Sequence, residues 1–317
     1  MPEPRDRPFR FSVQCSSLPD AADPTSWARL ARRCEDLGYD VLTIADHFDD
    51  QLAPIPAMMA AADATTTLRV GTMVLCNDYR HPVVLAKEAA TIDVLSGGRL
   101  ELGLGAGWMP SDYELAGIPF DRPSTRIDRL AEAVTIIKQL MSDEPCRFHG
   151  EHYRVDGLDG TPKPLQRPHP PILIGGGGRR VLTLAAREAD IVGLSTTMLT
   201  GAIDATTAAT GTAEATDERV AWVREAAGDR WSDIELQVRV HLVAVTDKRD
   251  ELAQALAAGF GLTPEQALAS PHALAGTVEQ IVDTLLERRE RWGMSTIGVS
   301  VDALEALVPV VERLAGT

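Results

Sequence analysis

The residues PVVLAKEAATIDVLSGGRLELGLG, 82–105, contain the pattern that decides the fold class. Apolar side chains from Leu85 to Leu95 recur at helical spacing, which predicts an amphipathic helix. A Gly-Gly pair ends this helix, and Arg99–Gly105 follows as the next predicted strand. A helix followed directly by such a strand is the repeating unit of a parallel α/β sheet.

The same alternation runs through the whole chain and yields eight strand-like segments. Over 317 residues this predicts an α/β fold, a (β/α)8 TIM barrel with insertions at its C-terminal face, as one domain spanning residues 1–317. The count of eight and the chain length favour a closed barrel over a doubly wound sheet, which repeated βα units also allow. The predicted strands are Phe9–Cys15, Val41–Ala45, Arg69–Leu75, Arg99–Gly105, Ile172–Ile174, Ile191–Leu194, Leu236–Val245 and Thr296–Val301.

Four segments interrupt this alternation. Ala106–Pro123 is a longer loop, and Arg147–Leu158 has the pattern of a small hairpin. Thr196–Thr216 is rich in Ala, Thr and Gly and has little periodicity, so we interpret it as a mobile lid or loop over the barrel mouth. Gly261–Pro271 contributes a second insertion.

Composition excludes several classes of function. The net charge of −15 argues against a nucleic-acid or anionic-membrane partner, because like charges repel. The charged N-terminal residues do not resemble a signal peptide, and no run of about 18 apolar residues predicts a membrane span. The four cysteines form no CxxC pair and the histidines no metal-binding spacing, so we expect no metal site and a cytoplasmic location.

The first candidate site is the pair Asp46-His47, directly after the Val41–Ala45 strand. Barrel enzymes carry their chemistry in the loops that follow the strands. A carboxylate beside an imidazole at such a position can orient a ligand and exchange a proton near neutral pH. The alternative is an aspartate that caps a turn, with a histidine that takes no part.

The second and third candidates are a strand with small and apolar residues, Gly71–Cys76, and the glycine-rich turn Gly103–Gly107 with Trp108. The turn lacks the GxGxxG spacing of a dinucleotide site, so its glycines more plausibly let the backbone turn sharply or approach a ring. Trp108 can line a substrate pocket or anchor the following loop. The strand can wall a planar ring or simply belong to the core.

The fourth candidate is the glycine segment Gly175–Gly178, after the Ile172–Ile174 strand and before a predicted helix. Free N–H groups and the helix dipole make such a segment a good phosphate site, and Arg179 and Arg180 add positive charge. The alternative is a flexible turn. Since neither a GxSxG elbow, nor a Walker A motif, nor a pair of catalytic carboxylates is present, the pattern favours a bound cofactor that performs the chemistry itself.

Several stretches together resemble one family, the luciferase-like monooxygenase superfamily, and within it the oxidoreductases that use the deazaflavin coenzyme F420. The resemblance covers most of the N-terminal two-thirds of the chain. It is carried by ADHF (45–48), LRVGTMVL (68–75), SGGRLELGLGAGW (96–108), YELAGIPF (113–120), RIDRLAEA (126–133), FHGEHYRVDGL (148–158) and PKPLQRPHPPILIGGGG (162–178).

The resemblance implies a cofactor ring at the barrel mouth, a non-proline cis peptide near Met73-Val74, and Asp46 and His47 beside the ring as catalytic residues. Gly175–Gly178 would then hold the cofactor phosphate. The implied cofactor-binding residues are Asp46, Thr72, Met73, Val74, Gly105, Gly107, Gly175, Gly176, Gly177, Gly178 and Ser195, and Gln14 and Trp108 are predicted to line the substrate pocket.

One position differs from the sugar-phosphate dehydrogenases of this superfamily. The resemblance implies that those enzymes carry a glutamate, which donates a proton, just after the glycine-rich turn. Trp108 occupies that position here. We therefore expect hydride transfer between coenzyme F420 and a small substrate that is apolar or aromatic. The alternatives are an FMN-dependent monooxygenase and a non-catalytic flavin-binding barrel. The resemblance also makes a homodimer possible.

Overall fold

The computed structural model describes residues 6–197 and 205–317. The strands of this part are β1 Arg10–Gln14, β2 Val41–Ile44, β3 Arg69–Thr72, β4 Leu75–Cys76, β5 Leu100–Gly105, β6 Cys146–His149, β7 Arg154–Leu158, β8 Ile172–Gly176, β9 Ile191–Leu194, β10 Glu235–Arg239, β11 Leu242–Val245, β12 Ala273–Gly276 and β13 Met294–Ser300. The α-helices are α1 Ser26–Asp36, α2 Pro54–Ala64, α3 Pro82–Leu95, α4 Pro110–Ala116, α5 Pro123–Met141, α6 Arg179–Glu188, α7 Ala205–Ala209, α8 Ala213–Ala227, α9 Arg249–Phe260, α10 Pro264–Ala269, α11 Val278–Trp292 and α12 Val308–Leu314.

The main sheet has nine strands in the order β3-β2-β1-β13-β10-β9-β8-β5-β4, and β3 also pairs with β5. Since β3 and β4 both pair in parallel with β5, the nine strands occupy eight positions and the sheet is closed. Every residue of β2 and β5 is buried, as is typical of strands covered on both faces, and for β2 the near-continuous apolar run predicted it. The prediction of a (β/α)8 barrel is confirmed.

The strand predicted at Arg69–Leu75 is interrupted between β3 and β4. The peptide bond Met73-Val74 is cis, at the place where the resemblance located it. On one side of this bond Val70 pairs with Leu100, and on the other Leu75 pairs with Leu104. The two short strands therefore run along the same neighbour, β5.

The long strand predicted at Leu236–Val245 is wrong as a single element. Its first half is β10, which belongs to the barrel, and its second half is β11, which pairs with β12 in a separate two-stranded sheet. The change occurs between Val240, whose N–H donates to Gly298 O at 2.7 Å, and His241, whose N–H donates to His272 O at 2.9 Å. The strand pattern in the sequence does not reveal that the hydrogen-bonding partner changes halfway.

The insertions contain more regular structure than the sequence indicates. The hairpin is confirmed as the antiparallel pair β6–β7, whereas Ala106–Pro123 contains α4 and Gly261–Pro271 contains α10. Helix α2 was also missed. In Thr196–Thr216, the segment interpreted as a lid, α7 and the start of α8 are helical, and residues 198–204 lie outside the described part of the chain. Its role as a lid stays a prediction.

The chain divides into two compact units, each with its own buried core. The first unit, here called the glycine unit, comprises Met1–Gln14, Asp36–Asp40 and Gly175–Thr317. The second, the histidine unit, comprises Cys15–Glu35 and Val41–Ile174. Asp46 and His47 belong to the histidine unit, and the glycine segment belongs to the glycine unit. The description as one domain over residues 1–317 stays a prediction.

Membrane-spanning character is not found in the described helices, since none of them combines the necessary length with sufficient apolarity.

Candidate active site

The pair Asp46-His47 lies directly beyond β2, at the C-terminal end of a buried strand. Asp46 is buried, with 6% of its surface exposed, and both of its carboxylate oxygens are engaged. Arg80 donates to Oδ2 at 2.5 Å and to Oδ1 at 3.1 Å, and the Cys76 N–H donates to Oδ2 at 3.0 Å. This bidentate ion pair ties the end of β2 to the segment after β4.

The carboxylate that contacts His47 is not its neighbour Asp46. Asp112, at the start of α4, lies 2.6 Å from His47 Nδ1 through its Oδ2 atom. Tyr79 Oη donates to the same carboxylate at 3.3 Å and the Phe48 N–H at 3.4 Å. The carboxylate of Asp46 is taken up by Arg80, so the imidazole of His47 pairs with Asp112 instead. The catalytic roles of Asp46 and His47 stay predictions.

The contact with Asp112 decides which nitrogen of His47 is available. A carboxylate only accepts hydrogen bonds, so it places the imidazole proton on Nδ1. Nε2 has no hydrogen-bond partner among the described residues, and the side chain is 17% exposed. Nε2 can therefore accept a proton from a ligand, or donate one when the ring is protonated.

Trp108 packs against His47, and its predicted place in a substrate pocket stays a prediction. The two rings meet edge to face with their centroids 5.6 Å apart. The turn before Trp108 is held from α5, where Arg126 Nε donates to Ala106 O at 3.1 Å and Nη2 to Gly107 O at 3.3 Å. Both residues come from one structural unit, so the structure brings Trp108 and His47 together.

The glycine-rich turn has an internal packing reason for its glycines. A Cβ added at Gly105 would lie 2.6 Å from Val74 Cγ2, and one at Gly107 only 1.9 Å from Tyr113 Oη. Gly107 also has a φ of +77°, where side chains are strained. These contacts explain both glycines without a ligand, and their contact with a cofactor stays a prediction.

Thr72 is similarly committed to the fold. Its hydroxyl donates to Gly103 O at 2.8 Å and accepts from Gly103 N–H at 3.0 Å, and the residue is 2% exposed. The side chain thus braces β3 against β5. Met73 and Val74 are half-buried at the cis bond, and their place beside a ring stays a prediction.

Further polar side chains lie next to Asp46, His47 and Asp112. Tyr113 Oη lies 3.1 Å from Cys76 Sγ and donates to Asp78 Oδ2 at 3.0 Å, while Arg129 donates to Asp78 Oδ1 at 2.8 Å. Burial raises the pKa of Cys76 to about 11 and also raises the pKa values of Tyr79 and Tyr113 above their ordinary range. These groups stay protonated at neutral pH and act as hydrogen-bond donors, so Cys76 is not a thiolate nucleophile.

The glycine segment ends β8 and precedes α6 in the glycine unit. Ser195, just after β9, donates its N–H to Gly176 O at 3.0 Å, so the structure brings these two predicted residues together. A Cβ at Gly177 would lie 2.4 Å from Thr196 O, whereas nothing lies within 4 Å of one at Gly178. Gly178 is the N-cap of α6 and provides no side-chain cap, which leaves the first N–H groups of the helix without that partner.

The positive charge expected from Arg179 is used elsewhere. Arg179 Nη2 lies 3.0 Å from Glu225 Oε2 in an exposed ion pair. Arg219 instead lies beneath the glycine segment and donates from Nε to Gly177 O at 2.9 Å. No pattern in the sequence indicated Arg219 as a site residue. Its Nη2 also donates to Thr197 Oγ1 at 3.1 Å. Arg219 therefore holds the backbone of the segment in place.

Gln14 ends β1 and pairs in register with Ser300, the last residue of β13. The predicted pocket residues thus belong to different units, with Gln14 in the glycine unit and Trp108 in the histidine unit. Sequence reasoning missed Asp112, Arg80 and Arg219. Each is distant along the chain from the group it contacts, and none lies in a recognisable motif, so the sequence carried no signal for these contacts.

The described residues form no group of three or more His, Cys, Asp or Glu side chains that could hold a metal ion. The groups available for chemistry are the pair His47–Asp112, which follows β2, and the start of α6, which follows β8 and has no side-chain cap. Enzymes built on such a barrel bind their ligands at the C-terminal ends of the strands.

Comparison with known families identifies the family to which the chain belongs. Residues 9–295 match the family model described as luciferase-like monooxygenase, and the chain therefore belongs to this family. The family prediction is confirmed.

Three proteins illustrate the range of relatives. FMNH(2)-dependent dimethylsulfone monooxygenase of Pseudomonas putida is 31% identical over 177 residues, covering 52% of this chain and 48% of that protein. F420-dependent glucose-6-phosphate dehydrogenase of Nakamurella multipartita is 34% identical over 191 residues, covering 58% and 55%. The structure of coenzyme F420 dependent tetrahydromethanopterin reductase from Methanopyrus kandleri superposes with a TM-score of 0.77 at 18% identity, covering 97% of this chain and 98% of that one.

The chain spans about half the length of the curated relatives it matches. The likeness to the reductase concerns the fold alone. The names of these relatives are those of oxidoreductases, which agrees with the predicted enzyme class.

Proposed function

We propose that this protein is an oxidoreductase that transfers a hydride between coenzyme F420 and a small organic substrate. The observation that carries the proposal is His47, whose Nδ1 is held by Asp112 while Nε2 faces no partner in the described residues. Such a residue suits proton transfer that accompanies hydride transfer. The F420-dependent dehydrogenase relative supports the choice of cofactor.

The residues of the glycine segment fit a phosphate group. Phosphates bind backbone N–H groups at uncapped helix starts, and α6 begins after Gly178 without a side-chain cap. A side chain at Gly177 would collide with the Thr196 carbonyl, and the space around Gly178 is open. We therefore assign Gly175–Gly178 and Ser195 to the cofactor phosphate, and Asp46, Met73 and Val74 to the neighbourhood of the cofactor ring.

The deazaflavin, when bound, supplies the carbon that accepts or releases the hydride. The residues of this chain do the rest. His47 moves a proton through Nε2, and Asp112 keeps the ring in the tautomer that allows it. Trp108 packs edge to face against the imidazole, and this aromatic neighbour supports an apolar or aromatic substrate body.

The direct test is a calorimetric titration of the purified chain with oxidised and reduced deazaflavin. We expect binding of the deazaflavin in preference to FMN. The variant His47→Ala should lower turnover about 10²- to 10⁴-fold with little effect on cofactor affinity. Absence of deazaflavin binding would overturn the proposal, and full turnover in His47→Ala would assign the histidine a structural role.

A second candidate is an FMN-dependent monooxygenase, which the similarity to the dimethylsulfone monooxygenase favours. Oxygen consumption with supplied reduced FMN and candidate substrates distinguishes it from the first. A non-catalytic flavin-binding barrel predicts binding without turnover across a panel of enones, imines and alcohols. We also propose a homodimer, which light scattering of the purified chain tests directly.

A further inference from the structure

Arginines without a carboxylate partner are a feature of the glycine unit. Arg219 and Arg288 are buried and Arg239 is half-buried, and no carboxylate of the described residues lies within 4.0 Å of any of the three. Arg219 and Arg288 have a structural role, since backbone carbonyls accept hydrogen bonds from both guanidinium groups.

Arg239 differs because its donors are largely unused. Its one hydrogen bond within the described residues runs from Nη2 to Ser300 Oγ at 2.9 Å. Nε is buried without an acceptor. Nη1 has no acceptor among the described residues either, and it is not one of the buried atoms without a partner, so it keeps some exposure to solvent. A guanidinium offers five N–H groups in a planar fork that matches a carboxylate or a phosphate.

The position of Arg239 is that of a functional residue. It ends β10, next to β13, whose last residue is Ser300, and β13 pairs in turn with β1, whose last residue is Gln14. Three polar side chains thus end three adjacent parallel strands. Barrel enzymes bind their substrates at this end of the strands.

Two histidines complete the surroundings of Arg239. His272 Nδ1 lies 2.8 Å from the Arg239 carbonyl oxygen, and the rings of His272 and His241 have their centroids 5.6 Å apart. Burial and the neighbouring positive charges lower the pKa values of both histidines to about 4. Burial lowers the pKa of Arg239 to about 10. At neutral pH the histidines are uncharged, and Arg239 is the cation of this cluster.

We propose that Arg239 binds an oxyanion group of the substrate, a carboxylate or a group of similar charge and shape, through Nη1 and Nη2. The inference deepens the proposed function and rests on it only in treating these strand ends as a substrate site. The substrate then combines an organic body with an anionic group. Ser300 orients the guanidinium by accepting one hydrogen bond from Nη2.

The test compares two ligands of the same shape, benzoate and benzamide, by calorimetry with the full chain at low salt and without cofactor. We expect benzoate to bind at least 10-fold more tightly than benzamide, because only the carboxylate can form charge-assisted hydrogen bonds. Arg239→Met should weaken benzoate binding about 10- to 100-fold and leave benzamide unchanged. Ser300→Ala should weaken it about 2- to 10-fold.

The matched control is Arg313→Met, which removes the same charge from an exposed arginine paired with Glu279. We expect it to bind benzoate like the wild type. Arg239→Lys keeps a charge without the fork, should retain part of the preference, and serves if Arg239→Met does not fold. Equal affinity for the two ligands, or benzoate binding unchanged in both Arg239 variants, would overturn the proposal.

A second arm separates the two possible sources of the oxyanion. The variants are titrated with deazaflavin and with inorganic phosphate. Deazaflavin affinity that is unchanged in Arg239→Met supports the substrate assignment. A loss of more than 10-fold assigns the oxyanion to the cofactor and overturns it. Since the benzoate comparison requires no cofactor, it stands even if deazaflavin does not bind and the proposed function fails.

Discussion

Replacing Asp112 by Asn tests whether the imidazole–carboxylate pair is functional. Asp112 Oδ2 lies 2.6 Å from His47 Nδ1, and the two side chains are only 6% and 17% exposed. The substitution keeps the size of the side chain and removes its charge. An amide can also turn its NH₂ group toward Nδ1, which would move the ring proton to Nε2 and block that atom as an acceptor.

The expected loss follows from this contact. A hydrogen bond to a charged group contributes about 1.5–3 kcal/mol when enclosed, and each 1.36 kcal/mol is tenfold in rate. We therefore expect kcat to fall about 10- to 100-fold, with KM changed less than threefold, because Asp112 contacts the histidine and not the ligand. The assay is single-turnover hydride transfer, followed by the absorbance of the deazaflavin. The ¹⁵N shifts of His47 should report the altered tautomer.

A matched control exists on the surface of the same unit. His149 Nε2 and Asp156 Oδ1 lie 2.5 Å apart, but their side chains are 58% and 60% exposed. Asp156→Asn removes the same charge from an imidazole–carboxylate pair and should leave kcat unchanged. An unaltered kcat in a folded Asp112→Asn variant, or equal losses in both variants, would refute the assignment of Asp112 as the positioning residue of His47.

Three further predictions concern the pH dependence, the glycine segment and the thiol. The pKa of His272 is lowered from 6.5 to about 4, so the unfolded chain binds a proton that the folded chain does not, and stability is lost as the pH falls from about 6.5 to about 4. His272→Gln should flatten this loss by about 3 kcal/mol at most, measured by urea unfolding at pH 7 and pH 4.5. Gly177→Ala should destabilise the fold by about 1–3 kcal/mol, because its Cβ meets a carbonyl at 2.4 Å, while Gly178→Ala should be tolerated. Thermal unfolding measures both, and a more stable Gly177→Ala than Gly178→Ala variant would contradict this packing argument. Cys76, which is buried and has a pKa of about 11, should react with iodoacetamide at pH 8 only as fast as the chain opens, and rapid labelling of the native protein would contradict that.

Local pattern was sufficient for most of the fold. Strands β2, β5 and β9 lie where the alternation of strand-like and helix-like segments placed them, since strands covered on both faces consist largely of residues that can be buried. The position of the cis bond at Met73-Val74 came from resemblance and not from such a pattern. The family was likewise predicted from the resemblance of several contiguous motifs.

Pattern failed where a partner had to be known. The run Leu236–Val245 has the pattern of one long strand, yet β11 leaves the barrel to pair with β12, because hydrogen bonds to His272 replace those to β13. Apolarity records burial and not the identity of the neighbouring strand. The helix α4 inside a predicted loop was missed for a related reason, since seven residues are too few to show a clear periodicity.

By itself the sequence determined the barrel class, the family and the residues His47 and Gly175–Gly178 as candidates, because these depend on periodicity and on motifs that are contiguous in the chain. Only the tertiary structure decided that Asp112 holds His47, that Asp46 belongs to Arg80, and that Arg239 keeps unused donors. Electrostatic partners are chosen by distance in space, and a charge that lies 65 residues away along the chain leaves no trace in the local pattern.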